Sequence, residues 1–148
     1  LGSDQGRTVY KKRLVNLVQR YRLNKKIKFI DHCKEMPLAY SISDVVVSAS
    51  IEPEAFGRVS VEAQAMEKPI IASNLGGSKE TILKKKSGFL YKHDDPRELA
   101  KTLNTVIELD QDTLKFIGNE GRKNITKKFD VESMCDSTLR EYKKLLNI

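Results

Sequence analysis

Residues Ser50–Glu80 read SIEPEAFGRVSVEAQAMEKPIIASNLGGSKE, and the fold turns on this stretch. Two carboxylates, Glu54 and Glu62, stand with seven residues between them; Phe56-Gly57 lies inside the interval and Gly76-Gly77 follows it. Val59, Ala63 and Met66 recur at helical spacing over Gly57–Met66, and Pro69-Ile70-Ile71-Ala72 signals a strand. A loop that ends at Gly57 and opens a helix offers free backbone N–H groups and a positive dipole end to an anion. Glu54, on that loop, can accept hydrogen bonds from one hydroxyl-rich ring. Glu62, about 7 Å along the helix at ~1.5 Å per residue, reaches the hydroxyls of a second. A ligand with an anion in its middle and a ring at each end fits this arrangement, which is the chemistry of a nucleotide-diphosphate sugar.

Outward from this stretch, DVVVSAS carries the continuous β-branched run Val45–Ser48, the mark of a strand buried on both faces. KIKFID predicts a strand over Lys26–Asp31, and Gly88–Tyr91 a further one. Thr8 caps a predicted helix whose apolar positions are Val9 or Tyr10, Leu14, Leu17, Val18 and Tyr21. Brief helices are expected over Glu35–Ser41, with Pro37 in the first turn, and over Gly77–Leu83. Asp94-Asp95-Pro96 opens a stronger one, because Asp caps and Pro suits the first helical position; Leu99, Leu103, Val106 and Ile107 form its apolar stripe. Two more helices, roughly Gln111–Lys127 and Val131–Leu146, close the chain with no strand between them, as an appendage or a reach toward something else. Short hydrophobic strands alternating with helices mean a parallel α/β sheet. Ligands of such sheets sit at the carboxyl ends of the strands, so the loops after Asp31, Ser48 and Ser73 are expected on one rim.

The chain has 148 residues, 39% hydrophobic and 32% charged, which suits one domain with a real core over residues 1–148. No apolar run approaches a membrane span, and LGSDQGRT at the N-terminus is not a signal peptide. Cys33 and Cys135 have no CxxC or His-rich companion and read as buried, reduced thiols, as in cytosol. The net charge of +7 favours acidic partners, but the lysines come in short scattered groups such as Lys11-Lys12 and Lys84-Lys85-Lys86. With no Trp and 7% aromatics there is no stacking platform for nucleic acid, and none is expected as a partner. Distributed lysines suit weak contact with an anionic membrane surface, so a cytoplasmic location, or a peripheral one at the inner face of the membrane, is expected. His, Cys and carboxylates are not spaced for a metal, and Asp94-Asp95 reads as a cap; no metal or cofactor is expected. There is neither a Ser nucleophile elbow nor a Walker loop.

EPEAFGRVSVEAQAMEKPIIASNLGGSKE resembles the donor-binding motif of the retaining glycosyltransferases of family 4, which have the GT-B fold. The resemblance extends to FIDHCKEMPLAYSISDVVVSAS before the motif, to SGFLYKHDDPRELA after it and to the terminal FDVESMCDSTLREYKKLL, hence to nearly the whole chain. It implies a Rossmann-like parallel sheet flanked by helices, an incomplete half of a GT-B fold with extra C-terminal helices. It further implies that Glu54, the expected catalytic residue, contacts the donor hexose, and that the amides of Ala55, Phe56 and Gly57 line the sugar pocket. The amides of Arg58 and Val59 would face the donor phosphates and Glu62 would bind the ribose hydroxyls. Asp31-His32-Cys33 would lie against the base. Gly76 and Gly77, on the same rim, are expected to face the ligand with their amides as an anion nest.

Three departures from the family pattern stand out. Ala55 replaces the usual Gly, and Arg58 stands where an apolar residue is common. The Gly-Arg…Lys-Gly segment that grips the diphosphate is not in this chain, which reads as the carboxyl portion of a longer enzyme, excised or encoded by a split gene. The expected function is therefore donor binding, of a UDP-sugar, for retaining transfer to a glycan or lipid-linked acceptor held by an N-terminal domain. The isolated chain is expected to bind donor weakly and transfer nothing. The alternative is a non-catalytic split-gene remnant or interaction domain that keeps the fold. Two carboxylates also suggest a glycosidase, but a retaining one sets them roughly 5 Å apart across one bond; here they would hold opposite ends of a donor.

Overall fold

Parallel strands need crossover segments, and the sequence supplies them. In chain order the elements are α1 (Thr8–Arg20), α2 (Met36–Ser41), β1 (Val46–Ser48), α3 (Arg58–Ala65), β2 (Ile70–Ser73), α4 (Ser78–Thr81), β3 (Phe89–Tyr91), α5 (Pro96–Ile107), α6 (Gln111–Lys128) and α7 (Val131–Leu146). These come from a computed structural model that describes residue 6 and residues 8–146. The chain divides into two compact units, one ending at Ala39 and the other beginning at Tyr40.

In the first unit, α1 has no buried residue; Leu14, Val15 and Val18 are half-buried. The chain turns after it, with the Leu23 N–H donating to the Val18 carbonyl at 2.8 Å. The Lys11 ammonium donates to Asp31 Oδ1 at 3.0 Å. The strand expected over Lys26–Asp31 does not form: after a turn, residues 27–33 are irregular, and Ile27, Phe29 and Ile30 are exposed. β-propensity alone holds no strand, because the ladder needs a neighbour to take the backbone N–H and C=O groups. Among the described residues the sheet contains only the three strands of the second unit.

In that unit the order is β1-β2-β3, both pairings parallel, with Val47 opposite Ile71 and Ile71 opposite Phe89. β2 is central and all four of its residues are buried. Its side chains alternate between faces. Ile71 packs with Tyr91 and Val106 of α5, joined by Val45, Phe89, Leu99, Leu103 and Leu114. Ile70 and Ala72, on the opposite face, are likewise fully buried. The run Val45–Ser48 was expected to be buried on both faces; instead Val46 is half-buried and Val47 is 40% exposed. The reason is position: β1 lies at the sheet edge with a neighbour on one side only.

α5 begins as its sequence dictates, with the Asp95 carboxylate accepting from the N–H groups of Arg97 and Glu98 at 3.1 and 3.0 Å. Ile107, expected in the stripe, is exposed at the last turn, while its neighbour Val106 faces the core. α6 packs against α3 with Gly121 beside Gln64, and Gly118 lies against Glu67 in the turn after that helix. A Cβ on Gly118 would overlap the Glu67 carbonyl oxygen and stand 2.8 Å from its carbon. α7 buries nothing: Val131, Met134, Leu139, Tyr142 and Leu145 are all more than half exposed. Cys135 lies on it and is exposed, not buried as expected, because no layer covers that helix; Cys33 is half-buried.

The Gly118 contact gives a stability test. Gly118→Ala forces a methyl into rigid backbone, so the urea midpoint should drop, by about 1–3 kcal/mol of stability. An unchanged midpoint would show that α6 can move away from Glu67 without loss.

Candidate functional site

The loops that follow β1 and β2, residues 49–57 and 74–77, are locked together by backbone. The Gly77 N–H donates to the Glu54 carbonyl at 2.9 Å. A Cβ on Gly76 would overlap the Glu54 carbonyl oxygen, and one on Gly77 would stand 2.5 Å from the carbonyl carbon and oxygen of Phe56. Gly76 also has φ +53°, and Gly57, the N-cap of α3, has φ +76°. Both are left-handed backbone, which glycine adopts without a steric penalty. The glycines therefore serve first as a backbone seam. The Gly77 amide is committed to Glu54 within that seam, so it is not open to an anion as the nest reading required.

Outside the seam the side chains face solvent. Glu54, Ala55 and Phe56 are exposed, and the Ser50 hydroxyl hydrogen-bonds to Glu54 Oε1. Phe56 meets Phe129 edge-to-face at 5.7 Å, just beyond the end of α6. Arg58 and Val59 open α3, whose N-cap supplies no side-chain bond. The first helical N–H groups of such a turn have no intrahelical acceptor and carry the positive dipole end.

Glu62 sits one turn further along α3, half-buried, and both its oxygens have donors. The Tyr40 hydroxyl donates to Oε2 at 2.9 Å, and Arg58 Nη2 to Oε1 at 3.0 Å. Tyr40 is 4% exposed. Burial first, then the hydrogen bond to Glu62 and its negative charge, lift the phenol well above its ordinary 10.0, partly offset by Arg58. At neutral pH it is a neutral donor.

The residues expected from sequence thus fall into two sets. Glu54, Ala55, Phe56, Gly57, Gly76 and Gly77 meet at the seam, with Arg58, Val59 and Glu62 on the helix that leaves it. Asp31 and His32 belong to the other unit, where both are exposed and Asp31 is paired with Lys11. Sequence reasoning missed Tyr40, Ser50 as a partner of Glu54, and Phe129. Tyr40 stands 22 residues from Glu62, and no local spacing links them.

The three-strand parallel sheet flanked by helices matches the α/β architecture of GT-B glycosyltransferases. The glycosyltransferase of Rickettsia africae ESF-5 superposes with a TM-score of 0.91 at 34% identity, over 98% of this chain and 38% of that one. HepE of Anabaena, solved in complex with UDP-glucose, gives 0.89 at 30% identity, over 97% of this chain and 39% of that one. The chain belongs to the family of glycosyl transferases group 1, whose family model matches residues 5–124. The capsular polysaccharide biosynthesis glycosyltransferase CapM of Staphylococcus aureus is 31% identical over 125 residues, which are 80% of this chain and 32% of CapM. The chain spans a quarter to a third of the length of the curated relatives it matches.

The raised phenol sets a pH test. The unfolded chain releases the Tyr40 proton near pH 10 while the folded chain keeps it, so its contribution to stability is whole below that pH and drains as pH climbs toward the folded value. The stability gap between wild type and Tyr40→Phe, read from urea melts, should hold steady near neutral pH and narrow above pH 10. A gap that widens there would show that the phenol is not held protonated.

Proposed function

We propose that this chain binds the nucleotide-diphosphate sugar donor of a retaining glycosyltransferase, and that the donor is a UDP-sugar. The observation that carries the reading is the seam: it sets Glu54 on a rim loop, the uncapped start of α3 beside it and Glu62 one turn along. The likeness to HepE, solved with UDP-glucose, supports the choice of nucleotide.

In this reading Glu54 takes hydroxyls of the transferred sugar, held by Ser50, and acts by position and charge. Ala55, Phe56 and Gly57 line the sugar pocket. The amides of Arg58 and Val59 meet the phosphates, where the helix dipole favours a leaving anion. Gly76 and Gly77 contribute by holding the loop. Glu62 binds the ribose diol, and Asp31 and His32 are assigned to the base. The leaving phosphate assists attack from the same face, so no protein nucleophile and no metal are required. Residues 1–148 act as one donor-binding domain. The acceptor, a glycan or lipid-linked sugar, is held by another domain of a longer, cytoplasmic enzyme that touches the membrane surface peripherally. No helix among the described residues is long and apolar enough to cross a membrane. The isolated chain binds donor and does not turn it over.

A second reading, an interaction domain without catalysis, is favoured by the uncovered apolar residues of α7. Calorimetry with UDP separates the two. The donor reading expects measurable binding, and Glu62→Ala to weaken it about 10- to 100-fold, the worth of hydrogen bonds to a charged group. No binding by wild type favours the interaction domain, and equal affinity for both proteins removes Glu62 from the ribose site.

A further inference from the structure

Glu62 is the only glutamate among the proposed donor contacts whose two carboxylate oxygens meet donors of opposite character in the described structure. Oε2 receives the Tyr40 hydroxyl, which is buried and carried on α2. Oε1 receives Arg58 Nη2, on a side chain 84% exposed. These two bonds differ in how readily a ligand can replace them. An exposed i,i+4 ion pair is screened by water and holds two long side chains at an entropic cost, so it contributes little. A bond from the phenol of a buried residue to a carboxylate is charge-assisted, and breaking it leaves the hydroxyl without its partner. An incoming hydroxyl pair will therefore displace Arg58 and leave Tyr40 in place.

We propose that Tyr40 is the positioning residue for Glu62: it anchors Oε2, so that Oε1 is the oxygen turned to the ribose diol, while Arg58 is the partner that gives way. This rests on the reading of Glu62 as the ribose-binding carboxylate. The anchoring has a physical purpose. A glutamate has three rotatable bonds, and the diol must find Oε1 at hydrogen-bond distance and correctly directed. A carboxylate fixed at one end has fewer orientations to lose when the ligand arrives. The displaced Arg58 is also well placed. It is the first residue of α3, where the backbone amides already favour an anion, and its guanidinium is suited to phosphate oxygens. Ribose and diphosphate binding are then linked by one side chain that leaves the first group for the second. Tyr40 touches no ligand in this scheme; it acts through Glu62.

The test reads preference for the 2′-hydroxyl, which a purely structural role would not move. Affinities of the 148-residue chain for UDP and 2′-deoxy-UDP are measured by NMR titration, with folding checked by circular dichroism. Glu62→Gln should abolish most of the wild-type preference for UDP; if the preference persists, the ribose reading of Glu62 fails. With that established, Tyr40→Phe should lower the preference at least threefold. Tyr40→Met gives the same reading should the Phe variant fail to fold. A full preference in the Tyr40 variants, beside its loss in Glu62→Gln, overturns the positioning role and leaves the ribose reading standing. Arg58→Ala lowering the preference while Tyr40→Phe does not would overturn it as well, by making the exposed arginine the anchor.

Discussion

The site depends on main chain lying directly on main chain. Gly76 and Gly77 are seated against residues 53–56 so closely that no side chain fits between, and the Gly77 N–H to Glu54 carbonyl bond fixes their register. Steric exclusion of this kind sets loop shape without using any polar side chain of the loop. Glu54, Phe56 and Arg58 are consequently left on the solvent side, where a ligand can reach them. Gly57 completes the device: its left-handed backbone turns the chain from the seam into α3. The residues assigned to the donor in the proposed function are thus held by glycines some twenty positions apart in the chain.

Behind the seam, α3 is pinned along its length. Gln64 Nε2 donates to the carbonyls of Ser60 and Thr81, both at 3.0 Å, and Asn124 Nδ2 donates to the same Thr81 carbonyl at 3.0 Å. The Thr81 hydroxyl reaches back to the Gly77 carbonyl, also at 3.0 Å. These buried bonds join α3, α4 and α6, so the turn that bears the glycine pair and the helix that bears Glu62 share one support. Binding groups set on such a support lose little orientation on meeting a ligand.

Much of this was legible in the sequence, for identifiable reasons. Strands β2 and β3, the start of α5 at Asp95-Pro96 and the limits of α7 follow from local signals: β-branched runs, a capping carboxylate, helical spacing. That the loops after Ser48 and Ser73 share a rim was legible because they follow the carboxyl ends of parallel strands; that glycines seam them was not. What failed was whatever depends on neighbours. The segment Lys26–Asp31 has the composition of a strand but no ladder to join, and Val47 has the composition of a core residue but lies at an edge. Cys135 and Ile107 look apolar enough for burial, yet both are exposed among the described residues. Tyr40 was overlooked because its importance arises from a partner one crossover away, and Gly77 was misjudged as a donor to ligand because its own carbonyl partner lies in another loop.

The ring contact between Phe56 and Phe129 extends the loop's attachments beyond the sheet. Phe129 is the C-cap of α6, and α7 begins two residues later. One aromatic edge therefore hitches the pocket loop to the pivot of a helix whose apolar residues are all uncovered. A change in how the ring of Phe129 packs would therefore meet Phe56, two residues along the chain from Glu54.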